Sequence, residues 1–138
     1  MTGHPGPSPP LPPKDSRINV ALWIASGLLA LAFLGAGLMK ALRPIPELQE
    51  QMRWVTPERT AGVRAIGWLE VAGAVGVILP WALGVAPVLT PIAAVGLALT
   101  QVGAIPLHVR LGEAKAVPAN VVLLALAVFV AVGRFAAL

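Results

Sequence analysis

Four long apolar runs, each about 18 to 23 residues, account for most of this chain: Ile18 to Met39, Ala65 to Leu83, Val85 to Leu107 and Val117 to Phe135. A helix rises 1.5 Å per residue, so about 20 residues cross a hydrocarbon core some ~30 Å thick. Backbone polar groups in hydrocarbon must find partners within their own segment, which restricts the spans to helices. The runs therefore predict an all-α fold, an integral membrane four-helix bundle. Composition agrees, because 57% of the residues are apolar and 12% charged, against roughly a quarter charged in soluble domains.

The segments between the runs divide the chain further. Residues 1–17, "MTGHPGPSPPLPPKDSR", hold six prolines and few large apolar groups, so they read as a disordered tail, with "PSPPLPP" as a possible proline-helix docking motif and His4 as no ligand. Residues 18–138 form the four-span domain. Its first span exceeds the 7 to 15 apolar residues of a signal peptide and is expected to stay as an anchor. The first loop, residues 40–62, contains Pro46 and Glu47 as a helix start, with Leu48, Met52 and Val55 on one face. This predicts a short interfacial helix with Trp54 as an anchor, while Trp23 and Trp81 mark the opposite interface. "LGVA" after Trp81 joins spans two and three as a tight hairpin. Pro106 deprives the Val102 carbonyl of its usual partner near the end of span three.

Charge points to a compartment and excludes several functions. The net charge is +4, but the basic residues flank apolar runs without clustering, so the partner is a lipid bilayer and not nucleic acid. Lys14, Arg17 and Arg134 fall on one side; Lys40, Arg43, Arg53, Arg59, Arg64, Arg110 and Lys115 fall on the other. That bias favours loops 40–62 and 108–117 in the cytoplasm. Seven arginines against three lysines, with heavy alanine, glycine and proline use, suit a GC-rich bacterial genome and hence a multi-pass inner (cytoplasmic) membrane protein. The chain has no cysteine, which removes thiolate nucleophiles, cysteine zinc sites and iron–sulfur clusters. Only His108 lies near a span, so neither a bis-histidine haem nor a metal site is expected.

The polar residues inside the runs are informative because an ionisable group at a span centre costs roughly 2.5 to 3.5 kcal/mol on insertion scales. Alternating direction puts the end of span one, start of span two, end of span three and start of span four on one membrane face. Lys40, Glu70, Gln101, His108 and Asn120 all fall in that half. Glu70 lies ~10 Å deep. Gly37, Gly67 and Gly73 share helix faces with these groups, and small residues permit close helix approach. Lys40, and His108 if it reaches, are expected to meet Glu70 in a polar pocket. The pair either fixes helix register or belongs to a functional site; Arg134 reads as an interface anchor.

The segments "ALWIASGLLALAFLGAGLMKALRP", "RAIGWLEVAGAVGVILP", "LTPIAAVGLALTQVGAIPLHVRLGE" and "NVVLLALAVFVAVGRF" resemble the DoxX-like family of bacterial membrane proteins over residues 18–135. The resemblance rests on Phe33, Gly37, Lys40, Gly67, Glu70, Gly73, His108 and Arg134, and departs where Gln101 stands for a common methionine. It implies a four-helix membrane bundle. Relatives include subunits of thiosulfate:quinone oxidoreductase and partners of redox and detoxification proteins, so enzyme subunit and assembly factor are both open. The expected function is an accessory or assembly component with an intramembrane polar pocket. The alternatives are a membrane subunit of a quinone-linked oxidoreductase and a small-solute or proton pathway. A quinone is the cofactor the second alternative implies; a membrane or redox protein and a second copy of the chain are the expected partners.

Overall fold

The computed structural model describes residues 2–8 and 13–138. Its helices are α1 (Pro13–Leu42), α2 (Ile45–Gln51), α3 (Thr60–Gly76), α4 (Leu79–Leu83), α5 (Leu89–Arg110) and α6 (Val117–Ala136), with single 3-10 turns at Pro57–Arg59 and Ala114–Ala116. Four segments, Ser16–Leu42, Pro57–Leu83, Leu89–Arg110 and Ala114–Ala136, are long and apolar enough to span a membrane. The protein is thus an all-α membrane bundle, as its apolar runs require. Residues 2–8, including His4, are irregular and exposed; residues 9–12, within the proline-rich motif, lie outside the described residues. Helix α1 starts at Pro13, ahead of Ile18, and a proline in a first turn gives up no helical hydrogen bond.

The spanning helices form a ring in which α1 packs on α3, α3 on α5, α5 on α6, and α6 returns to α1; α1–α3 and α5–α6 are the tightest seams. The core is a stack of Leu29, Phe33, Val77, Leu97 and Val130 with alanines 25, 74, 94, 127 and 131 between them. Leucines and valines on the outer faces, such as Leu31, Leu69, Leu99 and Val132, remain exposed, as a chain solvated by lipid allows.

The α1–α3 seam is set by glycine. A Cβ on Gly67 would lie 2.6 Å from the Ala41 nitrogen and 2.7 Å from the Gly37 carbonyl oxygen, and one on Gly37 would lie 2.7 Å from the Gly67 oxygen. Both obstacles are backbone, which cannot swing aside. Gly67→Ala is therefore expected to separate α1 from α3 and destabilise the bundle by about 1–3 kcal/mol, measurable by denaturant titration in mixed micelles; unchanged stability would show that the backbones are not in contact. Gly73 serves a different seam, since its added Cβ would meet the Leu97 side chain of α5 at 2.5 Å.

Span two is not continuous. Helix α3 stops at Gly76 and α4 resumes at Leu79, because Pro80 has no N–H to offer the Gly76 carbonyl. Thr90, fully buried at the start of α5, fills the gap: its hydroxyl donates to the Gly76 oxygen at 2.9 Å and accepts the Trp81 N–H at 3.2 Å. Gly84 closes α4 at φ 65°, and Ala86 is also left-handed, at φ 47°. Helix α5, by contrast, continues through Pro106 to Arg110.

The first loop differs from a single amphipathic helix. Helix α2 ends at Gln51, and Met52 is extended, so Val55 lies beyond the helix that was expected to carry it. The apolar residues nevertheless converge: Leu48, Val55 and Val63 form a second buried cluster, flanked by Met39, Met52 and Trp54. Burial of these side chains, and not helical periodicity, holds the loop on the end of the bundle.

Candidate functional site: a polar cleft at one end of the bundle

A cleft of about 450 Å³ opens at the end of the bundle that α2 and its following turn cover. Its walls come from Ala36 and Lys40 of α1, Ile66 and Glu70 of α3, Gln101, Ala104 and His108 of α5, and Asn120 of α6, with Met52 and Trp54 from the loop. The five polar residues singled out in the sequence thus line one cavity.

Lys40 and Glu70 form its charged wall. The ammonium group donates to Oε1 at 2.9 Å and to Oε2 at 3.0 Å, and the two side chains are 14% and 5% exposed. The geometry follows from the glycine contact one turn away, because only helices this close bring both stems within reach. Arg64 of α3 reinforces the seam: its guanidinium donates to the Lys40 carbonyl at 2.9 Å and to that of Arg43, satisfying carbonyls that the end of α1 leaves without helical partners.

His108 does not reach Glu70. Its Nδ1 lies 2.8 Å from Oε2 of Glu113, a residue that sequence reasoning passed over. The chain offered a signal in "HVRLGE". Gly112 takes the left-handed conformation at φ 70°; the Glu113 N–H bonds the His108 carbonyl at 2.8 Å and the Gly112 N–H bonds that of Val109 at 3.2 Å. This is the Schellman pattern of a helix end, and it folds the residue after the glycine back over the last turn. Glu113 is thereby placed to hold the imidazole.

Gln101 and Asn120 contribute carboxamides without spending them. Gln101 Oε1 and Asn120 Nδ2 are fully buried with no hydrogen-bond partner. Buried polar atoms left unpaired typically cost about 1–3 kcal/mol each, and both side chains line the cleft, where rotation of a carboxamide would offer its donor or acceptor to a polar ligand. Trp54, half-buried, lines this cleft and flanks the second apolar cluster. Arg53 of the same turn donates to the Leu111 carbonyl at 3.1 Å, tying the cover to the end of α5.

The opposite end holds a feature that was expected to be a plain anchor. Arg134 is buried, 2% exposed. Its guanidinium lies 4.9 Å from the Trp23 ring centre and 4.5 Å from that of Trp81, and donates to Asn19 Oδ1 at 3.0 Å. Trp23 and Trp81 are therefore partners of a cation inside the bundle. Among the described residues, no group of three or more His, Asp or Glu side chains is placed to hold a metal ion.

No curated protein and no solved structure matches this chain. The family model described as the DoxX-like family does, over residues 24–130, a stretch that takes in all five cleft residues, both glycines of the α1–α3 seam and most of the four spans. With the helical ring and its match both in place, the chain belongs to the DoxX-like family of membrane proteins.

Proposed function

We propose that this protein is an accessory or assembly component of the bacterial inner membrane that holds the polar head of an amphiphilic ligand in its cleft. The observation that carries this reading is the convergence of Lys40, Glu70, Gln101, His108 and Asn120, from all four spans, on a cavity of about 450 Å³. That volume is within the usual range for small-molecule sites, and an apolar cavity with a few convergent polar groups is their common form. Intramembrane ionisable residues also tend to mark ligand and ion pathways. The test is extraction in mild detergent followed by mass spectrometry of what accompanies the protein. A stoichiometric amphiphile retained by the native chain and lost in Gln101→Leu/Asn120→Leu supports the proposal; a native chain recovered with no small molecule contradicts the ligand-holding reading.

A second reading, a membrane subunit of a quinone-linked oxidoreductase, has one observation in its favour. His108, held by Glu113, lines the same cleft, and a carboxylate-held imidazole can give or take a proton beside a bound ring. Gln101, Asn120 and Lys40 would then hold the quinone's oxygens. Recovery of a quinone as the co-extracted ligand favours this reading, and recovery of any other lipid excludes it.

A further inference from the structure

A second cavity, of about 410 Å³, runs along the α3–α5 seam between the cleft and α4. Its floor is made of small residues, Gly73 and Gly76 from α3 and Ala93 and Gly96 from α5, with Leu69 and Ile92 at its edges. Thr100 lines both this groove and the polar cleft, so the two spaces lie on either side of one residue. Its hydroxyl is occupied by the Leu97 carbonyl at 2.6 Å, so the wall the two spaces share presents no free hydroxyl. From Thr100 back to Leu89 the groove follows α5 for roughly 16 Å.

The charges of the cleft are already matched with one another. Lys40 uses both oxygens of Glu70, and His108 meets Glu113. An anionic head would meet a lysine already neutralised by Glu70, and a cationic head a glutamate already neutralised by Lys40; drawing either away from its partner would break a buried pair, which is strongly unfavourable. The neutral side chains of the cleft wall are the carboxamides of Gln101 and Asn120, each able to donate and to accept, with Gln101 Oε1 and Asn120 Nδ2 unpaired.

We infer that cleft and groove are one site for an uncharged, single-tailed amphiphile, its head carrying both a hydroxyl and a carbonyl against Gln101 and Asn120 and its hydrocarbon tail lying between α3 and α5. This deepens the proposed function and rests on it. An unusual control is available, because a Cβ added at Gly96 would meet no atom within 4 Å: Gly96→Leu should occlude the groove without disturbing the bundle. Ala72→Leu, on the facing helix, is an independent second block.

The purified full chain is titrated in micelles with monoacylglycerols of graded length, with lysophosphatidic acid and with alkyltrimethylammonium of matched length, following tryptophan fluorescence. The native protein should bind the neutral series roughly tenfold or more tightly than either charged probe, with affinity rising with chain length. Gly96→Leu and Ala72→Leu should keep the affinity for short chains and lose that rise. Equal binding of charged and neutral heads overturns the inference, as does a chain-length dependence that persists in both variants. Failure of every probe to bind overturns the proposed function itself, which separates the two.

Discussion

Lys40→Met is expected to destabilise the bundle by about 3–5 kcal/mol, the usual effect of removing one partner from a buried ion pair. The loss comes less from the missing attraction than from the carboxylate left behind. Glu70 is 5% exposed, sits inside the α1–α3 seam, and on a shorter stem than lysine's cannot swing out to the rim. Glu70→Gln should be milder, because Lys40 stands near the end of α1, is 14% exposed, and can swing its flexible stem toward the rim. The double variant Lys40→Met/Glu70→Gln should recover most of the loss, since it leaves no unmatched charge. Unfolding free energies of the four proteins in mixed micelles form the cycle. A double variant as unstable as the sum of the singles would mean that the two residues do not meet.

Arg134→Ala is the second large effect, expected at about 3–5 kcal/mol, in line with truncation of a large buried side chain. It empties the space between Trp23 and Trp81, leaves Asn19 Oδ1 without its donor, and removes two cation–π contacts worth about 2 kcal/mol each when desolvated. Arg134→Met should refill the volume and recover part of the loss. Arg134→Lys should recover less than its charge suggests, because an ammonium cannot cover two rings and bond Asn19 with one planar group. The indole emission reports the same site: it should shift in all three variants. A loss in Arg134→Ala within about 0.5 kcal/mol, the range of surface substitutions, would make the residue the simple interface anchor that its sequence position suggested.

These two clusters differ in how far they were legible beforehand. Lys40 and Glu70 could be placed together because span lengths fix depth, alternation fixes which ends share a face, and Gly37 and Gly67 lie on the same helical faces as the charges. Each step uses only local geometry. Arg134 required more. Its partners lie in α1 and α4, with Asn19 separated from it by 115 positions, and Trp81 reaches it from α4, the segment beyond the break at Pro80. Pro80 was visible in the sequence, but reading Ala65 to Leu83 as one uninterrupted span hid the break, and the rescuing hydroxyl of Thr90 belongs to the next helix.

The His108 contact was misdirected for a related reason. Helical spacing relates residues only as far as the end of α5, while the decisive residue is Gly112, whose left-handed conformation reverses the chain and returns Glu113 to the imidazole. In the first loop the residue types were right and the periodicity was not: Leu48, Met52 and Val55 gather in one cluster although the chain leaves the helix at Gln51. Hydrophobic burial decided where those side chains went, and an extended turn satisfied it as well as a longer helix.

Side-chain geometry also bears on membrane orientation. Arg134, Lys40 and Arg64 are occupied within the bundle, by two indoles, a carboxylate and the carbonyls ending α1 respectively. They are poor reporters of membrane orientation. Of the remaining basic residues, Arg43, Arg53, Arg59, Arg110 and Lys115 still share the cleft end, so the asymmetry survives their removal.

The central claim is that a lysine and a glutamate from different spans meet inside a lipid-embedded bundle. It is tested most directly by solid-state NMR in bilayers, with ¹⁵N in the lysine ammonium groups and ¹³C in the glutamate carboxyls. Contacts of 2.9 and 3.0 Å require strong dipolar dephasing of one lysine signal, lost in Glu70→Gln. Lysine signals that show no glutamate contact in the native protein would contradict the account.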